Sequence, residues 1–314
     1  KGKEIAKVRM GFSVPAHGAQ PGVATITIGK PQLWDLKTPQ LYTAVTRVFV
    51  AGKLVDATET PFGLRTFAFT ANDGFHLNGR RVQLYGVCLH SDLGPLGMAF
   101  NRRAMERELQ IMQDMGVNAI RTSHNPPAPE LLDLCDRLGM VVWDECFDKW
   151  DGTATLPKGV SIPEHGRKQY TNFVRRDRNH PSVVAWSVGN EIFDLEGLKI
   201  PDSVGLLKTM VGLMKALAPT RPVGLAHCVP WSSTTELDAP LDVTGWNYAA
   251  RYADSRKKWP NLPIVYTESA SAYSTRGYYD DFPMPAKKDD YPATARISSY
   301  DHNSAYYSDP ADVE

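Results

Sequence analysis

The stretch Val183-Val184-Ala185-Trp186-Ser187-Val188-Gly189-Asn190-Glu191 reads as a buried strand that ends in a carboxylate. It is apolar and rich in β-branched residues, the pattern of a strand covered on both faces in a parallel sheet. A matching run, Pro263-Ile264-Val265-Tyr266, leads to a second acid at Glu268. A carboxylate at the end of a buried strand is unfavourable unless something uses it. Two of them predict a two-carboxylate reaction centre, the arrangement that glycoside hydrolysis needs.

Working outward, strand-like and helix-like segments alternate from about residue 75. Strands are expected at 82–88, 117–121, 140–144, 183–189, 222–226, 242–247 and 262–267. In 101–115, Met105, Leu109 and Met112 recur at helical spacing, as do Leu131, Leu134, Cys135 and Leu138 in 129–138. Gly116 and Gly139 follow as C-caps. Repeated β-then-α units imply a parallel sheet. Seven strands, with no GxGxxG after the first, predict a (β/α)8 TIM barrel lacking its last unit, over 71–314.

In such a barrel the chemistry sits at the carboxyl ends of the strands. Those ends carry Cys88, His90 and Asp92; Arg121, His124 and Asn125; Asp144 and Glu145; Asn190 and Glu191; His227; Trp246, Asn247 and Tyr248; and Glu268. Arg176-Asp177-Arg178 is dense in charge but precedes a strand, at the end of the barrel that serves stability, and reads as structural.

Residues 1–70 read as a partial β-sandwich. Ala24, Ile26 and Ile28 alternate, as do Tyr42, Ala44, Val48 and Val50, and Gly52-Lys53 is expected to turn. Asn78-Gly79 signals a hairpin.

The chain has 314 residues, room for one large and one smaller domain. Lysine plus arginine balances aspartate plus glutamate at 35 each. That balance argues against nucleic acid and anionic membranes as partners, since both call for a basic surface. No run approaches a membrane span. The opening residues Lys1-Gly2-Lys3-Glu4 carry no signal-peptide core, which leaves the compartment open between cytoplasm and periplasm. Cys88, Cys135, Cys146 and Cys228 lack a CxxC pattern and read as free packing thiols, not a zinc site.

Several stretches together resemble glycoside hydrolase family 2, the group of β-galactosidases, β-glucuronidases and β-mannosidases. They are Phe62-Gly63-Leu64-Arg65, Leu77-Asn78-Gly79, Asn118 to Pro126 (NAIRTSHNP), Arg176 to Ser182 (RDRNHPS), Trp186 to Glu191 (WSVGNE) and Thr267-Glu268-Ser269. The tail, Ser274 to Tyr279 and Ser298 to Asp301, is most similar to bacterial β-galactosidases. The resemblance implies that residues 1–70 are immunoglobulin-like. It implies Glu191 as general acid/base, Glu268 as nucleophile, Asn190 on the sugar 2-hydroxyl and Tyr248 beside the nucleophile. Arg121, His90 and His124 would line the sugar subsite, with Asp92 and Trp246 as looser carry-overs. It further implies a β-galactoside or oligosaccharide substrate and a homo-oligomer. A jelly-roll domain and an eighth barrel strand, usual in the family, are absent from this sequence. Some members bind magnesium after the third strand through a glutamate and a histidine. Here Lys149 and Asp151 occupy those places, so no metal and no cofactor is expected.

A retaining reaction needs the two carboxyls roughly 5–5.5 Å apart across the anomeric carbon. Glu268 must attack ionised, while Glu191 must first give a proton and then take one. Apolar neighbours such as Trp186 are expected beside Glu191.

Overall fold

The computed structural model describes residues 2–150, 162–192, 202–228, 236–247 and 252–268. Two antiparallel sheets come first. One pairs β1 (Tyr42–Val50) with β2 (Lys53–Phe62); the other joins β3 (Phe67–Thr70), β4 (Gly74–Leu77) and β5 (Arg80–Arg81). Then come seven parallel strands: β6 (Gly86–Leu89), β7 (Ala119–Thr122), β8 (Val141–Glu145), β9 (Val183–Asn190), β10 (Val223–His227), β11 (Val243–Asn247) and β12 (Ile264–Glu268). Each pairs with its neighbour in sequence. Between them lie α1 (Arg102–Asp114), α2 (Pro129–Leu138), α3 (Ile162–Asp177), α4 (Ser203–Leu217) and α5 (Tyr252–Lys258). The sheet curls until its edges meet: Cys88 Sγ of β6 lies 3.2 Å from the Thr267 carbonyl of β12. This is the seven-stranded barrel that the alternation predicts, with strand limits within a few residues.

The helices form where the periodicity places them. Met105 and Leu109 of α1 are buried, and Met112 packs beside them; Leu131, Leu134 and Cys135 do the same for α2. Gly139 closes α2 in the left-handed conformation, at φ 74°.

Residues 2–70 carry part of the expected sandwich. Among the described residues of 1–70 the N-terminal sheet is a single long hairpin, and Ala24, Ile26 and Ile28 lie in no strand. With no second sheet opposite it among the described residues, the ribbon buries neither face: Val48, Phe49, Val50, Leu54 and Val55 are 40–62% exposed. The turn also shifts by one residue. Val50 pairs with Lys53, and the corner is Ala51-Gly52, both at positive φ (50° and 80°), as a two-residue hairpin of right-handed twist demands. Asn78-Gly79 turns the same way, at φ 51° and 77°.

Part of this first segment belongs to the barrel by packing. Trp34, Phe75 and Leu77 are buried against Ala119, Val141 and Val184 at the strand starts, and Arg65 donates to the Val183 carbonyl at 2.9 Å. Residue 70 is the last of β3, and the residues on either side of it form a plug against the barrel base. Arg176 pairs with Asp177 at 2.6 Å at the close of α3, before β9, a structural place for that charged run.

Above the plug, Trp143 lies against Gly224 so closely that a Cβ there would sit 2.6 Å from the ring. Gly224→Ala is therefore expected to lower stability by about 1–3 kcal/mol, read as a fall in the urea midpoint with an unchanged m-value.

Candidate active site

Strand alternation sends Arg121 and Glu145 into the barrel mouth and their neighbours Thr122 and Asp144 towards the helices. Thr122 Oγ1 donates to Asp144 at 3.1 Å in that outer layer. There burial, and then Asp177 nearby, push the Asp144 carboxyl well above the usual carboxylate range.

Arg121, 5% exposed, is the hub of the mouth. Its Nη2 and Nε grip the fully buried Glu145 at 2.9–3.2 Å, its Nη1 donates to Glu268 Oε1 at 2.7 Å, and its Nη2 also reaches Asn190 Oδ1 at 2.8 Å. Burial pushes the Arg121 guanidinium towards deprotonation, but Glu145 and Glu268 outweigh this and hold it charged. Burial raises Glu145 and the Arg121 charge overcomes it, with help from His124, leaving the carboxyl below its ordinary value. Such a pair stands only because both partners are hydrogen-bonded throughout. His124 Nδ1 meets Glu145 at 2.6 Å, and its Nε2 lies 3.4 Å from Glu268.

Glu191 joins the same network. Asn247 Nδ2 donates to Glu191 Oε1 at 2.8 Å and to Asn190 Oδ1 at 2.9 Å, while Thr267 Oγ1 fixes the Asn247 carbonyl at 2.7 Å. A regular strand would turn Asn190 and Glu191 to opposite faces. The pairing of β9 with β10 shifts register at this point, and Glu191 adopts φ 49°, so both residues serve the mouth. A left-handed backbone at a non-glycine residue costs about 1–3 kcal/mol and concentrates at functional sites. Lys149 Nζ lies 3.2 Å from Glu191 Oε2 and 3.0 Å from Asp148 Oδ1, and Asp148 accepts from Asn190 at 3.0 Å. Burial disfavours the charged ammonium, but Glu191 and then Asp148 outweigh it and raise its pKa.

The predicted residues therefore divide. Glu191, Glu268, Asn190, Arg121 and His124 converge. His90 stands at the edge, its ring crossing His124 at 5.2 Å; burial and then His124 disfavour its protonation. Asp92 does not join: it caps the Gly94 amide at 2.8 Å on an exposed loop, whose geometry points it along its own turn. Trp246 is corrected too. It is fully buried and donates to Ser255 of α5 at 3.0 Å, because alternation sends it outward when Asn247 faces in. Tyr248 lies outside the described residues. The neighbours of Glu191 are Lys149 and Asn247, whereas Trp186 packs on Phe173 and beneath Arg221 in the helix layer. The sequence alone assigned no role here to Asn247, Asp148 or Lys149, and placed Glu145 at a strand end without giving it one. For Asn247 and Glu145 the pleat was the missed signal, since successive residues of a regular strand face opposite ways.

Comparison with known proteins agrees with this geometry. The family description "Glycosyl hydrolases family 2, TIM barrel domain" matches residues 70–311. The chain belongs to glycoside hydrolase family 2. A second family 2 model matches residues 2–65. Among family relatives, a β-galactosidase of Bacteroides ovatus is 41% identical over 89% of this chain and 36% of its own length. A putative β-glucuronidase of Formosa agariphila is 35% identical over 87% of this chain and 25% of its length. Among solved structures, a family 2 member from Bacteroides cellulosilyticus is 39% identical, with TM-score 0.70 over 78% of this chain and 32% of that one. A Bacteroides uniformis β-glucuronidase is 27% identical, with TM-score 0.68 over 80% and 32%. The chain thus spans between 25% and 36% of the length of these family 2 proteins.

Outside the mouth, Asp133, Asp136 and His180 cluster near the barrel base. His180 is already bound to Asp136 at 2.7 Å, and Asp136 caps the Ser182 amide at 3.0 Å, so these side chains hold the base together. All four cysteines are free thiols, and among the described residues no helix is long and apolar enough to cross a membrane.

Proposed function

We propose that the protein is a retaining exo-β-glycosidase that releases terminal β-D-galactosyl residues. The observation that carries the reading is one hydrogen-bonded chain, Glu268–Arg121–Asn190–Asn247–Glu191, linking two carboxylates from strands far apart in sequence. Glu268 attacks the anomeric carbon as Glu191 delivers its proton to the departing glycosidic oxygen. Glu191 then takes a proton from water as that water displaces Glu268 from the sugar, which restores the starting configuration. Arg121 and His124 orient the nucleophile, and Asn190 is placed to meet the 2-hydroxyl. Four carboxyls (Glu145, Asp148, Glu191, Glu268) face two fixed cations, Arg121 and Lys149. The excess of negative charge suits a transition state with oxocarbenium character. Galactose is favoured by the β-galactosidase among the relatives; β-glucuronidases among them make glucuronide the rival.

The test is hydrolysis of nitrophenyl β-galactoside against nitrophenyl β-glucuronide by the full-length protein. Preference for galactoside by more than tenfold in kcat/KM is expected, a difference of about 1.4 kcal/mol in transition-state binding. Preference for glucuronide would reverse the sugar, and binding of galactose without cleavage of either would leave a carbohydrate-binding role. Proton NMR of the first-formed product should show the β-anomer.

A further inference from the structure

The segment after β8 runs Cys146-Phe147-Asp148-Lys149-Trp150, where some family members hold magnesium through a glutamate and a histidine. These residues do not fit a divalent ion. Lys149 brings an ammonium, which has no lone pair to offer a metal, and sets it between Asp148 Oδ1 at 3.0 Å and Glu191 Oε2 at 3.2 Å. Both ion pairs are largely shielded from water, with the Lys149 side chain 15% exposed, so salt screens them little.

We propose that Lys149 is a positioning residue for Glu191, a resident cation that holds this carboxyl in the mouth and sets the alkaline limit of turnover. The proposal rests on the reading of Glu191 as acid/base. Among the described residues Lys149 is the cation in direct contact with Glu191, and Asn247 is its neutral partner. The other charged groups of the mouth reach Glu191 through intermediates: Asp148 through Lys149, and Arg121 of β7, with Glu145 of β8 and Glu268 of β12 bound to it and His124 beside both acids, through Asn190 and Asn247. On β10, His227 is paired with Asp238 at 3.0 Å. A positive charge in contact favours the ionised carboxylate and so opposes proton retention at high pH. Lys149 itself is held protonated by its two acids, so the limit does not arise from its own titration. Its second function is mechanical: it fixes Oε2 while Asn247 fixes Oε1, leaving one orientation of the carboxyl.

The experiment is the pH profile of kcat/KM, with an alkyl β-glycoside as substrate, for the full-length enzyme and its Lys149→Met and Lys149→Arg variants. Removing the charge should move the alkaline limb of Lys149→Met upward by roughly one pH unit, while Lys149→Arg keeps the wild-type limb. Wild-type rates should be indifferent to EDTA and to added magnesium. An unmoved limb in Lys149→Met, or EDTA inhibition reversed by magnesium, would overturn the proposal. A Glu191→Ala enzyme as fast as wild type would instead overturn the acid/base reading beneath it. Azide rescue of Glu191→Ala together with an unmoved Lys149→Met limb sinks the role of Lys149 alone.

Discussion

Glu268→Gln is expected to reduce hydrolysis of every β-glycoside to background. The amide nearly preserves the volume of the side chain and can still accept from Arg121 Nη1, now at 2.7 Å from Glu268 Oε1. It cannot form the covalent glycosyl intermediate, and among the described residues no other carboxylate stands in its place: Glu145 is fully buried and locked on Arg121, His124 and Ser187. The fold should survive, since Arg121 keeps its bidentate grip on Glu145 and the amide oxygen can still accept where Glu268 Oε1 does. Steady-state rates on an aryl galactoside and on an aryl glucuronide check the loss, with the thermal midpoint as control. A fluorinated sugar trapped on the wild-type enzyme should be found by mass spectrometry on the peptide that carries Glu268. Wild-type rates in the variant, or a label on another acid, would remove the nucleophile from the scheme.

The second large effect concerns Glu191→Ala. General acid assistance contributes ~10²–10⁴ in rate, and the loss should appear in full on alkyl glycosides with poor leaving groups. On dinitrophenyl glycosides, which need no proton, the first step should stay close to wild type while the second, deprived of its base, slows. Azide fits the space left by the carboxylate and needs no deprotonation, so it should restore turnover and yield a β-glycosyl azide. Lys149 then retains Asp148 as its partner at 3.0 Å, and Asn247 retains Asn190, so the cavity should not collapse. Equal loss on both substrate classes with no azide product would show that Glu191 shapes the site without moving a proton.

The barrel was legible because its strands are short apolar runs bounded by glycine-capped amphipathic helices, and these periods are local. The two glutamates were legible because a carboxylate at the end of a buried strand has few structural uses. Trp246 was misassigned because proximity in sequence says nothing about which face of the pleat is inside; the fixed position of Asn247 against Thr267 settles that. The N-terminal segment was legible in part: alternation picks out the strand at 42–50, while the same pattern at Ala24, Ile26 and Ile28 forms no strand, because alternation alone supplies no pairing partner.

By itself, then, the sequence determined the order of elements and the strand ends at which Glu191 and Glu268 stand, all properties of local pattern and composition. Only the tertiary structure decided that Arg121 joins Glu145, Glu268 and Asn190, that Glu191 turns inward through a left-handed backbone, and that Lys149 stands beside it. Those facts depend on strand register across residues as much as 147 positions apart, a distance over which no local preference acts.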